Sequence, residues 1–369
     1  MVKITLYGGV RQIGGNKILV EDGDTRVFFD FGQSFDMGEE YFVDFLKPRE
    51  SRFGLRDYFH FKLLPEVKGL YDREYLEGPE LKYTELEYEE PRFAAVFVSH
   101  MHFDHAMHLR FVDRRIPVYL GATADTIRRS WETTSLGRSA FGEHEFRTFR
   151  TGDRIEIGSL EVEPVHVDHS TPGAYGFIIR TSEGHIVYTG DFRLHGTRGD
   201  MTEDFIRRAS EVKPIALICE GTRVCPSDQR KDFTEEGVRK TAEEHIRAAD
   251  KLVVVSFYPK DVDRMRTFRD VAKSTGRKFV VSAKVAHLLG MLQADKRISE
   301  VPDPLTDPSM LVYVRRMARP ERVPYENEYV KMKKTKAEGV SDRIVDSDYV
   351  RDHQAELVFH MDFSQLGEL

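Results

Sequence analysis

Four side chains that can bind a metal ion lie within six residues of one another in the first third of the chain. They are His100, His102, Asp104 and His105. Imidazole nitrogens and carboxylate oxygens are preferred ligands of zinc, and they also bind manganese and iron. Because a bound zinc ion holds its donors about 2.0–2.2 Å away, ligands this close in sequence can close on one or two ions. The cluster therefore predicts a metal centre.

The segment before these ligands indicates how they are positioned. Residues 94–99 form a short apolar run with β-branched members, which is typical of a buried strand. At the end of an extended segment, the alternate residues His100 and His102 can share one ion. Asp104 and His105, beyond a turn, can then serve a second ion.

The pattern His-x-His-x-Asp-His after an apolar strand resembles the central motif of the metallo-β-lactamase superfamily of hydrolases. The resemblance implies an α/β fold, an αββα sandwich of two sheets flanked by helices. It also implies three further site residues. Asp30 would support the metal loop through hydrogen bonds without binding metal. His169 would bind the first ion with His100 and His102, and Asp191 would bridge the two ions.

Helices and strands alternate after residue 220, which predicts a parallel α/β unit. A unit of this kind after the metal motifs is similar to the β-CASP branch of the superfamily, the nucleases that include ribonuclease J. The resemblance implies a metallo-β-lactamase domain over residues 1–219 and an attached or inserted β-CASP-like domain over residues 220–369. Glu220 matches the acidic residue that opens this domain, and it would act in catalysis with Asp104 and Asp191.

Two motifs of that branch have no clear counterpart. The loop after the next predicted strand has no histidine, and Asp263 is its best match to the second motif. The third motif, which gives the second metal a histidine ligand in the branch, is not formed by the last histidines, His287, His353 and His360. Because the sequence stops at Leu369 within an expected closing motif, we expect a truncated C-terminus.

Residues 33–90 separate the first predicted hairpin from the metal motif. They are acidic and rich in aromatic residues. Long insertions of this kind are usually functional. We expect the segment to form a flap or rim of the site.

The net charge of −7 argues against a nucleic-acid partner, but it is unevenly distributed. Residues 34–90 carry 15 Asp and Glu against 8 Lys and Arg, so this segment alone accounts for −7. Residues 106–155 have a net charge of +3, and residues 313–336 have +5. An acidic total can thus hide basic faces that bind phosphates, although ordinary solvated surface is an alternative explanation.

Composition limits the class of protein. A chain of 369 residues, 40% of them hydrophobic, is sufficient for two globular domains. The sequence has no apolar run of about 18 residues, so we expect no membrane span. The N-terminus lacks the pattern of a signal peptide. Two cysteines, Cys219 and Cys225, are too few to stabilise a chain of this size. We therefore expect a reduced, cytoplasmic protein without a membrane partner.

The resemblance to the β-CASP branch implies a metal-dependent hydrolase that cleaves phosphodiester bonds of nucleic acid, as in RNA processing or degradation in the manner of ribonuclease J. We expect two zinc ions per chain, with manganese or iron as alternatives. Single-stranded RNA would run between the domains, and a homo-oligomer is compatible with the sequence. Two other functions fit the same residues. One is hydrolysis of a thioester or lactone, and the other is RNA binding without catalysis.

Overall fold

The structure is a computed structural model that describes residues 1–35, 48–77, 86–135, 140–222, 224, 234–298, 300–317, 319–336 and 339–361. In this part of the chain two β-sheets pack face to face, and a third sheet carries helices of its own. The predicted α/β class, with two stacked sheets flanked by helices, is confirmed.

The first sheet has six strands in sequence order. They are β1 (Val2–Gly8), β2 (Lys17–Asp22), β3 (Thr25–Phe31), β4 (Ala95–Val98), β5 (Val118–Gly121) and β6 (Phe146–Phe149). The first three are antiparallel, whereas β3 to β6 run parallel. Because β3 and β4 are parallel neighbours, Asp30 and the residues that follow β4 lie at the same edge of the sheet.

The second sheet is mostly antiparallel and has the order β11-β10-β9-β8-β7. Its strands are β7 (Ile155–Ile157), β8 (Leu160–His166), β9 (Tyr175–Thr181), β10 (Gly184–Tyr188) and β11 (Ala216–Ile218). Side chains alternate between the faces of a strand. Accordingly Phe29 and Phe97 point into the core between the two sheets, while Phe28 and Val96 join the core on the other face of the first sheet. Because β3 and β4 are buried on both faces, their sequences are almost continuously apolar.

Helices cover the outer faces of this sandwich. In chain order they are α1 (Glu50–Phe53), α2 (Arg56–His60), α3 (Arg73–Leu76), α4 (Phe103–Ala106), α5 (Ala122–Thr134) and α6 (Gly199–Glu211). The single turn α4 is followed directly by a 3₁₀ helix over Met107–Phe111. Ala106, with φ of −132°, interrupts regular helical geometry at the junction. In the described residues no helix combines the length and the apolar character needed to cross a bilayer.

The described part of residues 33–90 packs into the core beside the first sheet. Leu55, Tyr58, Leu70 and Tyr71 are each at most 1% exposed, and all belong to one apolar cluster with β3 and β4 side chains. Residues 36–47 and 78–85 lie outside the described residues. The role of the whole segment as a flap therefore stays a prediction, but much of its aromatic content serves the core.

The third sheet is entirely parallel, with the order β12-β16-β13-β14-β15. Its strands are β12 (Val253–Val255), β13 (Lys278–Ser282), β14 (Met310–Tyr313), β15 (Ile344–Val345) and β16 (Leu357–His360). The accompanying helices are α7 (Glu235–Ala248), α8 (Val262–Ser274), α9 (Ala283–Leu292), α10 (Pro324–Lys334) and α11 (Ser347–Asp352). The predicted parallel α/β unit is thus observed, and α9 packs against α5 of the sandwich. The loop after β12 is the part of this unit that matters most for the site.

Candidate metal centre

The six predicted ligands lie together where strands of the two stacked sheets end. His100, His102, Asp104 and His105 follow β4, His169 follows β8, and Asp191 follows β10. Within the described residues, they form two groups whose ligand atoms all lie within 4.8 Å of one another. The first group contains His100, His102, His169 and Asp191, and the second contains Asp104, His105 and Asp191. Asp191 belongs to both.

The distances within the second group match metal coordination, whereas Asp191 lies somewhat farther from the first group. Asp191 Oδ2 lies 4.0 Å from His100 Nε2 and 3.8 Å from His169 Nε2, while its Oδ1 lies 3.4 Å from His105 Nε2. Asp104 Oδ2 is also 3.4 Å from His105 Nε2. Tetrahedral zinc with bonds of about 2.0–2.1 Å separates its ligand atoms by about 3.3 Å. One oxygen of Asp191 therefore faces each group, which is the arrangement of a bridging carboxylate.

Burial controls the protonation of the first group. It lowers the pKa values of His100 and His102 well below the ordinary value, and it lowers the pKa of His169 to about 4. The neighbouring imidazoles lower the pKa values of His100 and His102 further. All three rings are thus neutral at pH 7, which is the form that binds a metal.

The second group carries charge. Burial opposes protonation of His105, but the carboxylates of Asp191 and Asp30 raise its pKa well above the ordinary value. Burial also disfavours the charged form of Asp191, yet His105 and its neighbours hold the pKa of that carboxyl well below its usual range. Metal binding here would replace a proton on His105, because the ligand form of imidazole is neutral.

Asp30 is fully buried at the end of β3, in the left-handed region with φ of 60°. Its carboxylate accepts hydrogen bonds from the Ser99 N–H (2.7 Å), the Ser99 hydroxyl (2.8 Å) and the Tyr188 hydroxyl (2.6 Å). It also lies 2.7 Å from His105 Nδ1. That contact orients His105 so that Nε2 points to Asp104 and Asp191. Asp30 thus has the contacts that the predicted supporting role needs, and its effect on metal binding stays a prediction.

We expect Asp30→Asn to weaken metal binding by about 10–100-fold, because partners of this kind orient a ligand and set its basicity. The amide keeps the shape of the carboxylate but directs an N–H₂ group toward donors. Competition with a chelator measures the affinity. Asp24→Asn, in the exposed turn between β2 and β3, is the matched control and should leave affinity unchanged. Wild-type affinity in Asp30→Asn would show that packing alone orients His105.

The ligands open onto a cleft of about 600 Å³. Glu220, which follows β11, lines this cleft together with His102, Asp104 and Asp191. Its Oε2 accepts a hydrogen bond from the Thr222 N–H at 3.1 Å. Among the described residues Glu220 joins neither ligand group, so it lies beside the ligands and its catalytic role stays a prediction.

The glycine-rich loop after β1 lines the same cleft, which the sequence analysis missed. Asn16 Nδ2 lies 3.1 Å from His105 Nε2, and the Asn16 N–H donates to the Asp104 carbonyl at 3.1 Å. Gly14, with φ of 74°, approaches so closely that a Cβ there would lie 2.6 Å from Asp104 Cβ. The sequence feature that could have indicated this role is the run of glycines that ends in Asn16, directly after the first predicted strand.

The loop after β12 also reaches the centre. Lys260 is buried, its ammonium donates to the Met101 carbonyl at 2.8 Å, and it lies 3.2 Å from the centroid of the Trp131 ring. Burial lowers the pKa of Lys260 well below its ordinary value. The ring of Tyr258 stands edge-on to His102, with 4.7 Å between centroids. Both residues lie in the loop where the sequence predicts the second β-CASP motif, but the match to that motif was assigned to Asp263.

Asp263, the best match to the second β-CASP motif, makes ion pairs. It pairs with Arg193 at 2.5 Å and with Arg266 at 2.7 Å. Arg193 also lies 3.2 Å from Asp168, the neighbour of His169. In the described part of the chain, Asp263 belongs to neither ligand group. It connects α8 to the loop that carries His169.

The arginine-rich stretch is largely neutralised. Each of the eight described arginines in residues 106–155 pairs with a carboxylate, several of them from the acidic segment before β4. These arginines are Arg110, Arg114, Arg115, Arg128, Arg129, Arg147, Arg150 and Arg154. In residues 313–336 Arg315, Arg316 and Lys333 are paired as well. A basic face cannot be inferred from the sequence counts alone.

Comparisons with known proteins agree with this geometry. Residues 77–259 match the family model described as a beta-lactamase superfamily domain. Ribonuclease J of Sinorhizobium meliloti is 28% identical over 222 residues, which cover 55% of this chain and 38% of that protein. Ribonuclease J 2 of Streptococcus pyogenes is 24% identical over 321 residues, which cover 86% of this chain and 51% of that protein.

Among solved structures, the chain resembles a protein of unknown function from Enterococcus faecalis V583. The TM-score is 0.70 at 24% identity, with 100% of this chain and 78% of the other covered. That likeness concerns the fold. The chain spans about half of the length, or less, of the two curated relatives described above.

Proposed function

From the premise that the chain is a ribonuclease J-like protein of the metallo-β-lactamase superfamily, we propose that it is a metal-dependent hydrolase that cleaves phosphodiester bonds of RNA. The observation that carries the proposal is Asp191, with one carboxylate oxygen facing each of two ligand groups. Sites that hold two metal ions about 3.5–4 Å apart recur in enzymes that cleave phosphate esters.

In this proposal His100, His102 and His169 would hold the first ion, Asp104 and His105 would hold the second, and Asp191 would serve both. Zinc suits these nitrogen and oxygen ligands, and manganese or iron are alternatives. Bound ions of this kind make water nucleophilic at neutral pH and stabilise charge on phosphoryl oxygens.

The chain's own residues hold the reacting groups in place. Asp30 orients His105, and Lys260 ties the loop between His100 and His102 to the second unit. Glu220 and Asp104 present carboxylates to the cleft, where they can hold or move protons of water and of the leaving group. We assign residues 1–219 to a metallo-β-lactamase domain and residues 220–369 to a β-CASP-like domain that flanks the cleft. A single strand of RNA in the cytoplasm is the proposed substrate.

Hydrolysis of a small thioester or lactone is the second candidate. The specific observation in its favour is the pairing of the described arginines in residues 106–155, because paired cations offer less attraction to a polyanion. The metal centre would serve both reactions.

The deciding experiment compares two substrates on one preparation. The metal content of the protein is measured, and the protein is then incubated with 5′-labelled RNA and with a thioester, with zinc or manganese added. We expect RNA cleavage that a chelator stops, and negligible thioester hydrolysis. Thioester hydrolysis without RNA cleavage would make the small-molecule hydrolase the function, and metal-independent RNA binding without cleavage would favour a binding protein.

Salt dependence gives an independent prediction. We expect log affinity for an RNA oligomer to fall with log salt with a slope of about −2 or steeper, corresponding to about three or more phosphates at about −0.7 each. Arg316→Glu with Lys334→Glu, in the second basic stretch, should flatten the slope. Reversal of Arg207 and Lys213, at the end of α6, is the control and should leave it unchanged. A flat salt dependence in the wild type would show that the basic stretches are solvated surface.

A further inference from the structure

Lys260 is a buried cation that reaches from the second unit, which contains the third sheet, into the sandwich. The residue is 8% exposed. Its ammonium donates a hydrogen bond to the Met101 carbonyl at 2.8 Å and lies over the Trp131 ring, 3.2 Å from the ring centroid. Within the described residues no carboxylate forms an ion pair with it. Because a buried charge is costly unless other groups compensate it, the carbonyl and the ring hold the ammonium at this place.

The ring under the ammonium is fixed by the sandwich. Trp131, the only tryptophan of the chain, lies on α5. It stands edge-on to the fully buried Phe141, with 5.4 Å between the ring centroids. Lys260 therefore connects a fixed ring of the sandwich to the carbonyl of Met101.

The Met101 carbonyl belongs to the backbone between two proposed ligands, His100 and His102. His100 Nε2 lies 3.0 Å from His102 Nδ1, which in turn lies 3.2 Å from His169 Nε2. Both separations are close to the distance of about 3.3 Å between two donors of tetrahedral zinc. A shift of the peptide group between His100 and His102 would change the distance between their rings. The hydrogen bond from Lys260 therefore bears on both ligands.

His169, the remaining histidine of the first ligand group, is also supported from the second unit. Asp263 pairs with Arg193 at 2.5 Å, and Arg193 lies 3.2 Å from Asp168, which directly precedes His169. Contacts from the second unit thus reach both segments that carry the histidines of the first group.

The second ligand group is supported from within the sandwich. Asp30 Oδ2 lies 2.7 Å from His105 Nδ1, and Asn16 Nδ2 lies 3.1 Å from His105 Nε2. The Asn16 N–H also donates to the Asp104 carbonyl at 3.1 Å. The two ligand groups therefore differ in the unit that supports them.

We propose that Lys260 is a positioning residue for the first ion. It fixes the Met101 carbonyl, and through it the spacing of His100 and His102, while the second unit is docked on the sandwich. The inference rests on the proposed function, because it takes these histidines as metal ligands. It deepens that function by making the first ion depend on the contact between the two units. Coupling of this kind is reciprocal, so the first ion in turn stabilises the docked arrangement.

The first test is Lys260→Met, which removes the donor and the charge and keeps an unbranched side chain. In a calorimetric zinc titration of the full chain, we expect the first ion to bind about 10–100-fold more weakly, as for loss of a group that orients a metal ligand, and the second ion to bind as in wild type. His169→Ala and His105→Ala assign the two binding steps. Lys284→Met, at an exposed lysine of α9, is the matched control. Wild-type affinity for the first ion, or equal weakening of both ions, would overturn the role.

A second variant decides the question even if Lys260→Met fails to fold. Trp131→Phe keeps the ammonium but offers it a smaller ring, so the affinity for the first ion should fall, though less than in Lys260→Met. In the double variant the loss should equal that of Lys260→Met alone, because residues that act through one contact are not additive. Unchanged affinity in Trp131→Phe, or additive losses in the double variant, would overturn the arrangement.

A spectrum separates positioning from a general loss of structure. The visible absorption bands of bound cobalt(II) depend on the geometry of its ligands, so Lys260→Met should change the bands of the first ion only. Lys260→Arg should restore them, because a guanidinium also donates hydrogen bonds and lies on aromatic faces. Unchanged bands in Lys260→Met would contradict the positioning role. If the wild type binds both ions but cleaves no RNA, the proposed function fails, and the zinc affinities still decide the role of Lys260.

Discussion

Asp191→Asn is expected to lower metal content and to reduce hydrolysis by about 1000-fold or more. The amide has no charge and only one acceptor oxygen, so it cannot face His105 with one oxygen and His100 and His169 with the other. Loss of a single fixed group that stabilises charge already costs about 100–1000-fold in rate, and here both ions would be affected.

The fold should survive this change, because the Asp191 side chain is 24% exposed at a strand end and contributes nothing to the apolar core. Metal content by mass spectrometry, RNA cleavage and the unfolding temperature would be measured together. Asp200→Asn, at an exposed carboxylate that pairs with Arg198, is the matched control. Full activity with one ion per chain in Asp191→Asn would remove the two-metal hypothesis.

Gly32→Ala should damage both the fold and the second ligand group. A Cβ at this position would lie 1.8 Å from the Asp104 carbonyl oxygen and 2.3 Å from the His105 nitrogen. Backbone atoms cannot yield as the end of a side chain can, so the loop that carries both ligands must move. We expect a loss of about 3 kcal/mol or more in the free energy of unfolding, at or above the usual range for overpacking, together with weaker binding of the second metal.

Denaturant unfolding and metal titration would measure the two effects of Gly32→Ala. The matched control is Gly290→Ala in α9, where a Cβ would meet nothing within 4 Å. That change should leave metal binding intact and stabilise the protein by up to about 1 kcal/mol, because alanine favours a helix over glycine. Unchanged stability in Gly32→Ala would mean that the loop adapts more readily than its close packing indicates.

The sequence by itself predicted the elements and the ligands that depend on short-range rules. The buried strand before His100 was expected from its apolar run, and β4 (Ala95–Val98) occupies that segment. Alternation of helices and strands predicted the parallel third sheet. The ligand cluster could be predicted from the sequence because metal donors separated by one or two residues remain close in space in any fold. The motifs added His169 and Asp191, which the structure brings to the same place.

Only the tertiary structure showed which distant groups meet. Tyr258 and Lys260 approach the loop of His100 and His102 from a unit more than 150 residues away, through a ring contact and a hydrogen bond that no spacing predicts. The interpretation of the charged stretches also depended on the tertiary structure. The acidic and arginine-rich stretches, which in the sequence were two separate surfaces, pair with each other through contacts such as Arg110 with Glu50 and Arg114 with Asp72. The physical reason is that Coulomb energy depends on the distance through space, which sequence separation does not determine beyond a turn or a strand.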